Sequence, residues 1–544
     1  MLAGLPGITA TAFMYFCSSI EIQCQCPQYR HGCYIRIRIL SQGVAIKMSR
    51  CVSVSVAVFV SVISALLCAE PSSSITDIKP LDELLQNTVT SYKIPGLAVA
   101  IASNNGVVFA SGYGEASPGV DVTPDTPFLL GSTTKAFTAL AVMRLVEQGQ
   151  VELDSPVKKY LPEFQLGVYG VENDITIRHL LNHTSGLSGK GIPGSTLGEE
   201  SLEKELLSLR RCVPDSPPGE RYAYFNGNYR LLGLIIERVS GMKYGDFLTA
   251  EIFGPLSMTS TYAGPDGVKM LAEGHGQFFG FPFQRKQTYR PGAVPSGYLV
   301  SSVSDLARFL IAEIKAGSGK PGPLGSDTVE VTWSPPGNGK EGYAMGWQAV
   351  DDPVHGQFLV HGGALENYRS FLFIDPNLEL GFALLVNQGG LLPSLLGFNA
   401  ARDGVFKVIH GEKPESGPGR WPIAVVSGIF FFVVGIGIYK TIRLRNWASR
   451  VDQQKLWRRW LGASFELVVS CFLLFGFIPL MNKLMGDKAD WAMIYGLLPE
   501  LFYLLVFLVC LGFFRFLLKV WILTSSRLGF GSQARIPRTP PHSA

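Results

Sequence analysis

Hydrophobic and polar positions alternate in three different ways along the chain. Residues 1–47 show no sustained period, only a mixture of Cys, Arg and Ile. At Met48-Ser49-Arg50 the pattern changes: an apolar run from Val52 to Leu67 follows and ends at Ala69. A short basic start, an apolar core and a small residue predict a secretory signal over 48–69. On that reading Met48 is the natural start and 1–47 is a non-native extension. Leu67 is bulkier than a lipoprotein cleavage site tolerates, which argues against lipid on Cys68.

The block 75–412 reads as a globular domain. Pro95 to Ser103 and Gly106 to Ser111 predict a hairpin turned by Asn104-Asn105-Gly106. Phe137, Leu140, Ala141, Leu145 and Val146 recur at helical spacing, as do Leu231, Leu232, Ile235, Ile236 and Val239, with Gly241 as a stop. Phe371 to Ile374 and Leu380 to Val386 predict strands. Strands at both ends with helices between them predict an α+β fold, an antiparallel sheet flanked by helices whose first and last strands meet.

From Trp421 the pattern is continuously apolar. Spans of about 422–439, 461–480 and 491–514 each approach the ~20 residues that cross a bilayer. Together they predict a membrane domain over 421–523 with a tail at 524–544. Lys440, Arg443, Arg445, Arg450, Lys455, Arg458 and Arg459 crowd the first loop against Asp452 alone, whereas the second loop is balanced. Arg515, Lys519, Arg527, Arg535 and Arg538 follow the third span. The positive-inside rule then puts the first loop and tail in the cytoplasm and the globular domain outside a plasma membrane.

Charge supports this division. The whole chain is +4, but 75–412 carries 26 Lys+Arg against 35 Asp+Glu and is −9, leaving +13 elsewhere. Basic residues beside apolar runs are a topology signal, so nucleic acid is excluded as a partner. Charged residues make up only 17% of the chain, and its mean hydropathy of +0.22 excludes disorder. Of nine cysteines only Cys212 lies in the globular block, so that domain has no internal disulfide. No metal or cofactor is expected.

Candidate chemistry begins at Gly131-Ser132-Thr133-Thr134-Lys135. Residues i and i+3 of a helix share a face, so Lys135 can reach Ser132 and serve as its base once burial lowers its pKa. The same spacing at Ser155/Lys158 and Ser201/Lys204 carries less weight. Ser155 precedes Pro156 and reads as a helix cap, and Ser201 lies in a charged, solvated helix. Next come Tyr224-Phe225-Asn226: on an extended loop Tyr224 and Asn226 point the same way, a phenol able to relay a proton and an amide able to orient a carbonyl or the lysine. The third element is His361-Gly362-Gly363-Ala364, whose glycines let a strand edge approach a substrate and whose N–H groups could complete an oxyanion hole.

These three motifs in this order resemble the serine β-lactamase and penicillin-binding-protein superfamily, specifically its class C β-lactamase-related branch of D,D-carboxypeptidases, D-aminopeptidases and esterases. The similarity covers about Ile75 to Gly411. It includes Leu153-Asp154-Ser155-Pro156-Val157, Tyr343-Ala344-Met345-Gly346-Trp347, and the most distinctive string, Ile175 through Leu187. The resemblance implies a β-lactamase/transpeptidase-like fold with a helical subdomain. It also implies a serine acyl-enzyme mechanism: Ser132 attacks, Lys135 is the base and Tyr224 shuttles a proton. Asn226, His361, Gly362, Gly363 and Ala364 contact substrate, and the Ser132 and Ala364 N–H groups form the oxyanion hole. His183 and Thr184 are structural on this reading. His361 stands where true class C β-lactamases have the lysine of Lys-Thr-Gly, which points towards peptidase and esterase members. The expected substrate is a small peptide, ester or β-lactam. The expected activity is that of a D-amino-acid peptidase, a D-Ala-D-Ala carboxypeptidase-like or a β-lactamase-like hydrolase, with a small-ester esterase or a non-hydrolysing penicillin-binding receptor as alternatives.

Overall fold

In a computed structural model, the described residues are 20–25, 34–39, 78–167, 170–190, 192, 200–322, 324–444, 456–485 and 491–525. The expected signal at 48–69, the basic residues at 445–455 and residues 526–544 of the tail lie outside them. The chain divides into two units, Met1–Ser72 and Ser73–Ala544. In the first, Ile20–Gln25 and Tyr34–Ile39 pair antiparallel with Ile20 opposite Ile39. The reading of 1–47 as patternless is thus corrected. Each strand alternates isoleucine with polar residues, a period of two only six residues long.

In the second unit eight strands build one sheet. They are β1 Gly96–Ser103, β2 Gly106–Ser117, β3 Val120–Asp121, β4 Gly342–Ala344, β5 Trp347–Asp352, β6 Gly356–Ala364, β7 Arg369–Asp375 and β8 Leu380–Val386. Their order across the sheet is β4-β5-β6-β7-β8-β1-β2-β3, and all neighbours run antiparallel. The β1–β2 hairpin turns at the expected residues, with Ser103 opposite Gly106. The first and last long strands meet at the centre, where Val99 faces Leu384.

Alternation along β1 assigns its two faces. Leu97, Val99 and Ile101 join the cluster beneath helices α1 (Lys79–Tyr92) and, near the C-terminus, Asn399–Ile409, which also buries Phe382 and Leu384 of β8. Ala98, Ala100 and Ala102 point the other way, into the larger cluster with Leu306, Leu310 and Ile314 of Val303–Gly317. The alanine methyls let that helix lie close to the sheet, while the large side chains fill the opposite layer. Truncating Phe382 to alanine would cost about 3–5 kcal/mol.

The helical subdomain sits on the alanine face. Its two long helices are α2, Thr134–Glu147, and α3, Asn226–Ser240, which ends at Gly241 with φ 69° as expected. Numbering the rest in chain order, Val303–Gly317 is α4 and Asn399–Ile409 is α5. Two expectations change here. Ser155 does not cap a helix: Pro156 opens the short 3₁₀ turn Val157–Lys159, and the Ser155 hydroxyl donates to Glu152 Oε2 at 2.6 Å. Ser201 caps Leu202–Leu209 by accepting from the Lys204 N–H. That helix is amphipathic rather than simply solvated, burying Leu202, Leu206, Leu209 and the Glu205 side chain.

Among the described residues three C-terminal helices are long and apolar enough to cross a membrane. They are α6 (Trp421–Ile442), α7 (Leu456–Cys471 continuing through a π turn into Phe477–Met485) and α8 (Pro499–Ser525). The third differs from the expected 491–514. Pro499 has no N–H and disfavours a helical Leu498, so Trp491–Leu497 forms a separate short helix and the span starts at the proline. Arg515 and Lys519, expected beyond the span, therefore fall inside it. Both pair with Glu466 of α7, at 2.6 and 3.1 Å.

Candidate active site

Ser132 lies on a 3₁₀ turn, Gly131–Thr133, that runs directly into α2. Its amide therefore belongs to the helix N-terminus, where unpaired N–H groups favour negative charge. Gly131 has φ 58°, and any Cβ there would come within 2.7 Å of the Ala364 amide nitrogen. The serine turn and the end of β6 are thus in contact. Gly363 is required for the same close approach, since a Cβ would strike Ser370 Oγ and the Leu130 carbonyl. The Thr133 and Ser370 hydroxyls, 2.9 Å apart, tie the serine turn to the neighbouring strand β7.

One turn along α2, Lys135 is fully buried. Its Nζ donates to the Ser296 carbonyl at 2.5 Å and to Asn226 Oδ1 at 2.8 Å, and lies 3.2 Å from Ser132 Oγ. With two N–H groups committed to carbonyl oxygens, the remaining position faces the serine. Burial pushes the lysine well below its ordinary value, and the Arg230 charge adds to this. The ring faces of Tyr224 and Tyr229, at 4.9 and 5.6 Å, would favour the ammonium form, but they do not offset complete desolvation. The amine form presents its lone pair to Ser132 Oγ.

Phe225 is extended, with φ −140° and ψ 120°, and Asn226 starts α3. This local geometry sends the side chains of Tyr224 and Asn226 to the same point. The Tyr224 hydroxyl donates to Ser132 Oγ at 2.9 Å while Asn226 holds Lys135. Burial raises the Tyr224 phenol above its ordinary value, so it stays protonated. Beneath it His183, at φ 55°, packs its ring 4.4 Å from that of Tyr224 and 4.7 Å from that of Tyr343. His183 Nδ1 accepts from the Phe225 N–H at 3.2 Å, fixing the extended residue that aims the tyrosine.

Gly362 and Ala364 are the exposed residues of the β6 motif, and His361 and Gly363 are buried. His361 Nδ1 bonds to the Gly362 carbonyl at 3.0 Å, and its Nε2 to the Tyr343 hydroxyl at the same distance. Burial, reinforced by Lys135, pushes the imidazole down to about 3. It is a neutral group with both nitrogens engaged, so this strand offers a substrate backbone hydrogen bonds but no positive charge. Among the described residues no cluster of His, Cys, Asp and Glu could hold a metal.

The structure thus gathers Ser132, Lys135, Tyr224, Asn226 and the end of β6 at one point. Sequence reasoning missed the Ser296 carbonyl, Tyr343 as partner of His361, and the buried Arg230–Glu205 pair at 3.1 Å behind the lysine. A carbonyl oxygen has no sequence signature. The Tyr343 segment was visible, but not its register against β6.

Comparisons with known proteins identify the family. The Beta-lactamase family model matches residues 81–401. Protein flp of Staphylococcus aureus is 28% identical over 318 residues, which are 56% of this chain and 62% of that protein's length. Esterase EstB of Burkholderia gladioli is 31% identical over 357 residues, covering 56% of this chain and 89% of the esterase. Among solved structures, the octameric penicillin-binding protein homologue from Pyrococcus abyssi superposes with a TM-score of 0.53 at 28% identity, over 62% of this chain and 79% of that one. EstCE1, a hydrolase with promiscuous acyltransferase activity, shares the fold at a TM-score of 0.51 and 24% identity, over 57% and 93%. The chain belongs to the β-lactamase family, in its penicillin-binding-protein-like and esterase-containing group of serine hydrolases.

Proposed function

We propose that the protein is a membrane-anchored, extracytoplasmic serine hydrolase working through a Ser132–Lys135–Tyr224 acyl-enzyme mechanism. The observation that carries this is the buried Lys135 amine, held by two carbonyl oxygens so that its remaining position faces Ser132 Oγ. Ser132 Oγ attacks the substrate carbonyl as its proton passes to Lys135 Nζ. The oxyanion is held by the Ser132 and Ala364 N–H groups, helped by the α2 N-terminus. Tyr224 Oη protonates the leaving group, and the proton that Lys135 Nζ took from Ser132 restores the phenol. Deacylation reverses these transfers with water as nucleophile. Asn226 holds the lysine and the β6 backbone holds the substrate.

A neutral ester or amide is the substrate class this site suits best. Recognition of a free carboxylate calls for a cation on β6, and His361 is uncharged and engaged. This favours the esterase reading over a β-lactamase or D,D-carboxypeptidase. The peptidase reading stays second, supported by the likeness to a penicillin-binding protein homologue. The domain limits proposed are a signal at 48–69, the hydrolase at 75–412 and the membrane helices to 523, with the first loop and tail cytoplasmic. Intact mass after exposure to a fluorophosphonate tests the mechanism: one adduct on Ser132 is expected, and a folded protein without an adduct would refute it.

A further inference from the structure

The membrane helices do more than tether the hydrolase domain. A hairpin of the domain, His275–Phe278 paired with Phe281–Gln284, ends against them. At its tip the Phe279 N–H donates to Glu500 Oε1 of α8 at 2.7 Å. The Phe279 ring lies 4.9 and 5.2 Å from Phe430 and Phe431 of α6, and Phe278 lies 5.4 Å from Tyr503 of α8. Arg420, at the start of α6, donates to the Gly280 carbonyl at 2.8 Å. At the hairpin's other end the Arg285 guanidinium covers the Tyr495 ring at 5.0 Å, and a Cβ at Gly496 would come within 4 Å of both Arg285 and Glu366.

Glu366 closely follows Ala364, the residue at the serine turn. Consecutive Cα atoms lie about 3.8 Å apart, so the oxyanion strand ends no more than about 8 Å along the chain from a residue that lies beside the short helix Trp491–Leu497 leading into α8. Tyr495 and Tyr503 mark that end of the helices as the headgroup level, where amphipathic rings collect. The linker before α6 would by itself only tether the domain. These contacts instead hold the hairpin directly against α6 and α8.

At the base of the docked hairpin is a cavity of about 650 Å³ that reaches Leu129, three residues before Ser132. Its wall includes Leu129, which leads into Ser132, Tyr368, which follows Ala364, and Tyr289, which leads to Ser296. Leu271 and Pro265 add apolar surface, and Gln284 and Arg285 belong to the hairpin base. Residues a few positions along the chain from the nucleophile, the oxyanion strand and the lysine-binding carbonyl therefore share one cavity, with apolar wall at Leu129, Pro265 and Leu271 and a charged rim of Asp266, Glu273, Arg285 and Lys286. A cavity of this size accommodates a substantial apolar group.

We propose that the substrate is an amphiphile resident in the bilayer, an ester whose acyl group is presented to Ser132 from the membrane surface while its apolar part occupies this cavity. This rests on the serine-hydrolase reading above and on the three helices spanning the membrane. Hydrolysis splits the ester into a fatty acid and an alcohol, with water as the only co-reactant.

The test uses the full chain reconstituted in phosphatidylglycerol vesicles, given either 4-methylumbelliferyl oleate in the same bilayer or soluble 4-methylumbelliferyl butyrate. Two docking variants are compared with wild type: Phe279→Asn, which suits the positive φ of 47° at that position, and Glu500→Met, which keeps the side-chain length but removes the oxygen that accepts from the Phe279 N–H. The expected result is a fall of about tenfold in the oleate-to-butyrate ratio of kcat/KM in each variant, the scale of losing one docking contact, with butyrate hydrolysis within about twofold of wild type. An unchanged ratio in both variants overturns the proposal. Fluorophosphonate labelling separates the remaining outcomes. If Ser132 labels but neither ester is hydrolysed, the substrate class is wrong and the nucleophile stands; if Ser132 does not label in a folded protein, both readings fall.

Discussion

Two ends of the same sheet treat buried bases in opposite ways. At the serine end, Lys135 and His361 are buried without a carboxylate against them, and both are driven neutral. At the far end, near the linker to α6, the histidines come with acids. His355 bridges Asp352 at 3.0 Å and Glu412 at 2.9 Å, and His410 bonds Asp375 at 3.2 Å. Burial alone would lower His410, but the Asp375 carboxylate and the Phe406 carbonyl together outweigh it and raise it. The difference is the presence of an acid. Burial without one favours the neutral base, and an acid beside a buried imidazole favours its protonated form, as at His410.

The largest expected effect removes what the neutral lysine serves. Ser132→Ala should lower kcat by about 10⁴-fold or more with the fold retained, checked by steady-state kinetics beside circular dichroism. Lys135→Arg should cost about 10³-fold, because a guanidinium cannot deprotonate at working pH; a near-normal rate would remove Lys135 from its role. Transplanting the far end's logic is the sharper experiment. Asn226→Asp would set a carboxylate where Oδ1 now lies 2.8 Å from Nζ, raising the lysine. The acid limb of the kcat/KM profile should move to higher pH and the rate at pH 7 fall about 10–100-fold, with partial recovery on going alkaline. In the wild type that limb reports Lys135 losing its proton. Tyr224, raised above 10.0, should add no alkaline limb below that pH.

The smallest effect is at His410. A raised His410 contributes stability that is complete below its unfolded value near 6.5 and is lost as pH rises through the folded value. His410→Gln should therefore destabilise by about 1 kcal/mol or less at pH 5.5, and the gap from wild type in urea melts should close by pH 9. A gap that widens with pH would reverse the comparison.

Much of this was legible because it depends on local geometry. Ser132 and Lys135 share a helix face, and Tyr224 and Asn226 share one side of an extended residue, so spacing alone placed each pair. The hairpin after Pro95 and the Gly241 stop were legible for the same reason, since turns and caps are set within a few residues. Groups brought from afar were not. Ser296 offers a main-chain oxygen from 161 positions beyond Lys135, with nothing in its side chain to signal it. The aromatic run Phe278, Phe279, Phe281 and Phe283 was a signal of a buried or docked tip, but its partners follow some 150 to 220 residues later. Pro499 could have corrected the third span; hydropathy averaged over a window passed straight through it.

The meeting of β1 and β8 at the sheet's centre also sets a schedule for the chain. Val99 cannot find Leu384 until 285 more residues have been made, so the central pair forms only when synthesis is near α6, the first of the long apolar helices. Until then β1 has an open edge that β2 cannot cover, and the growing chain depends on being shielded along one strand. A chain released before residue 380 would keep that edge for good, and its fate is aggregation or proteolysis rather than a smaller working enzyme.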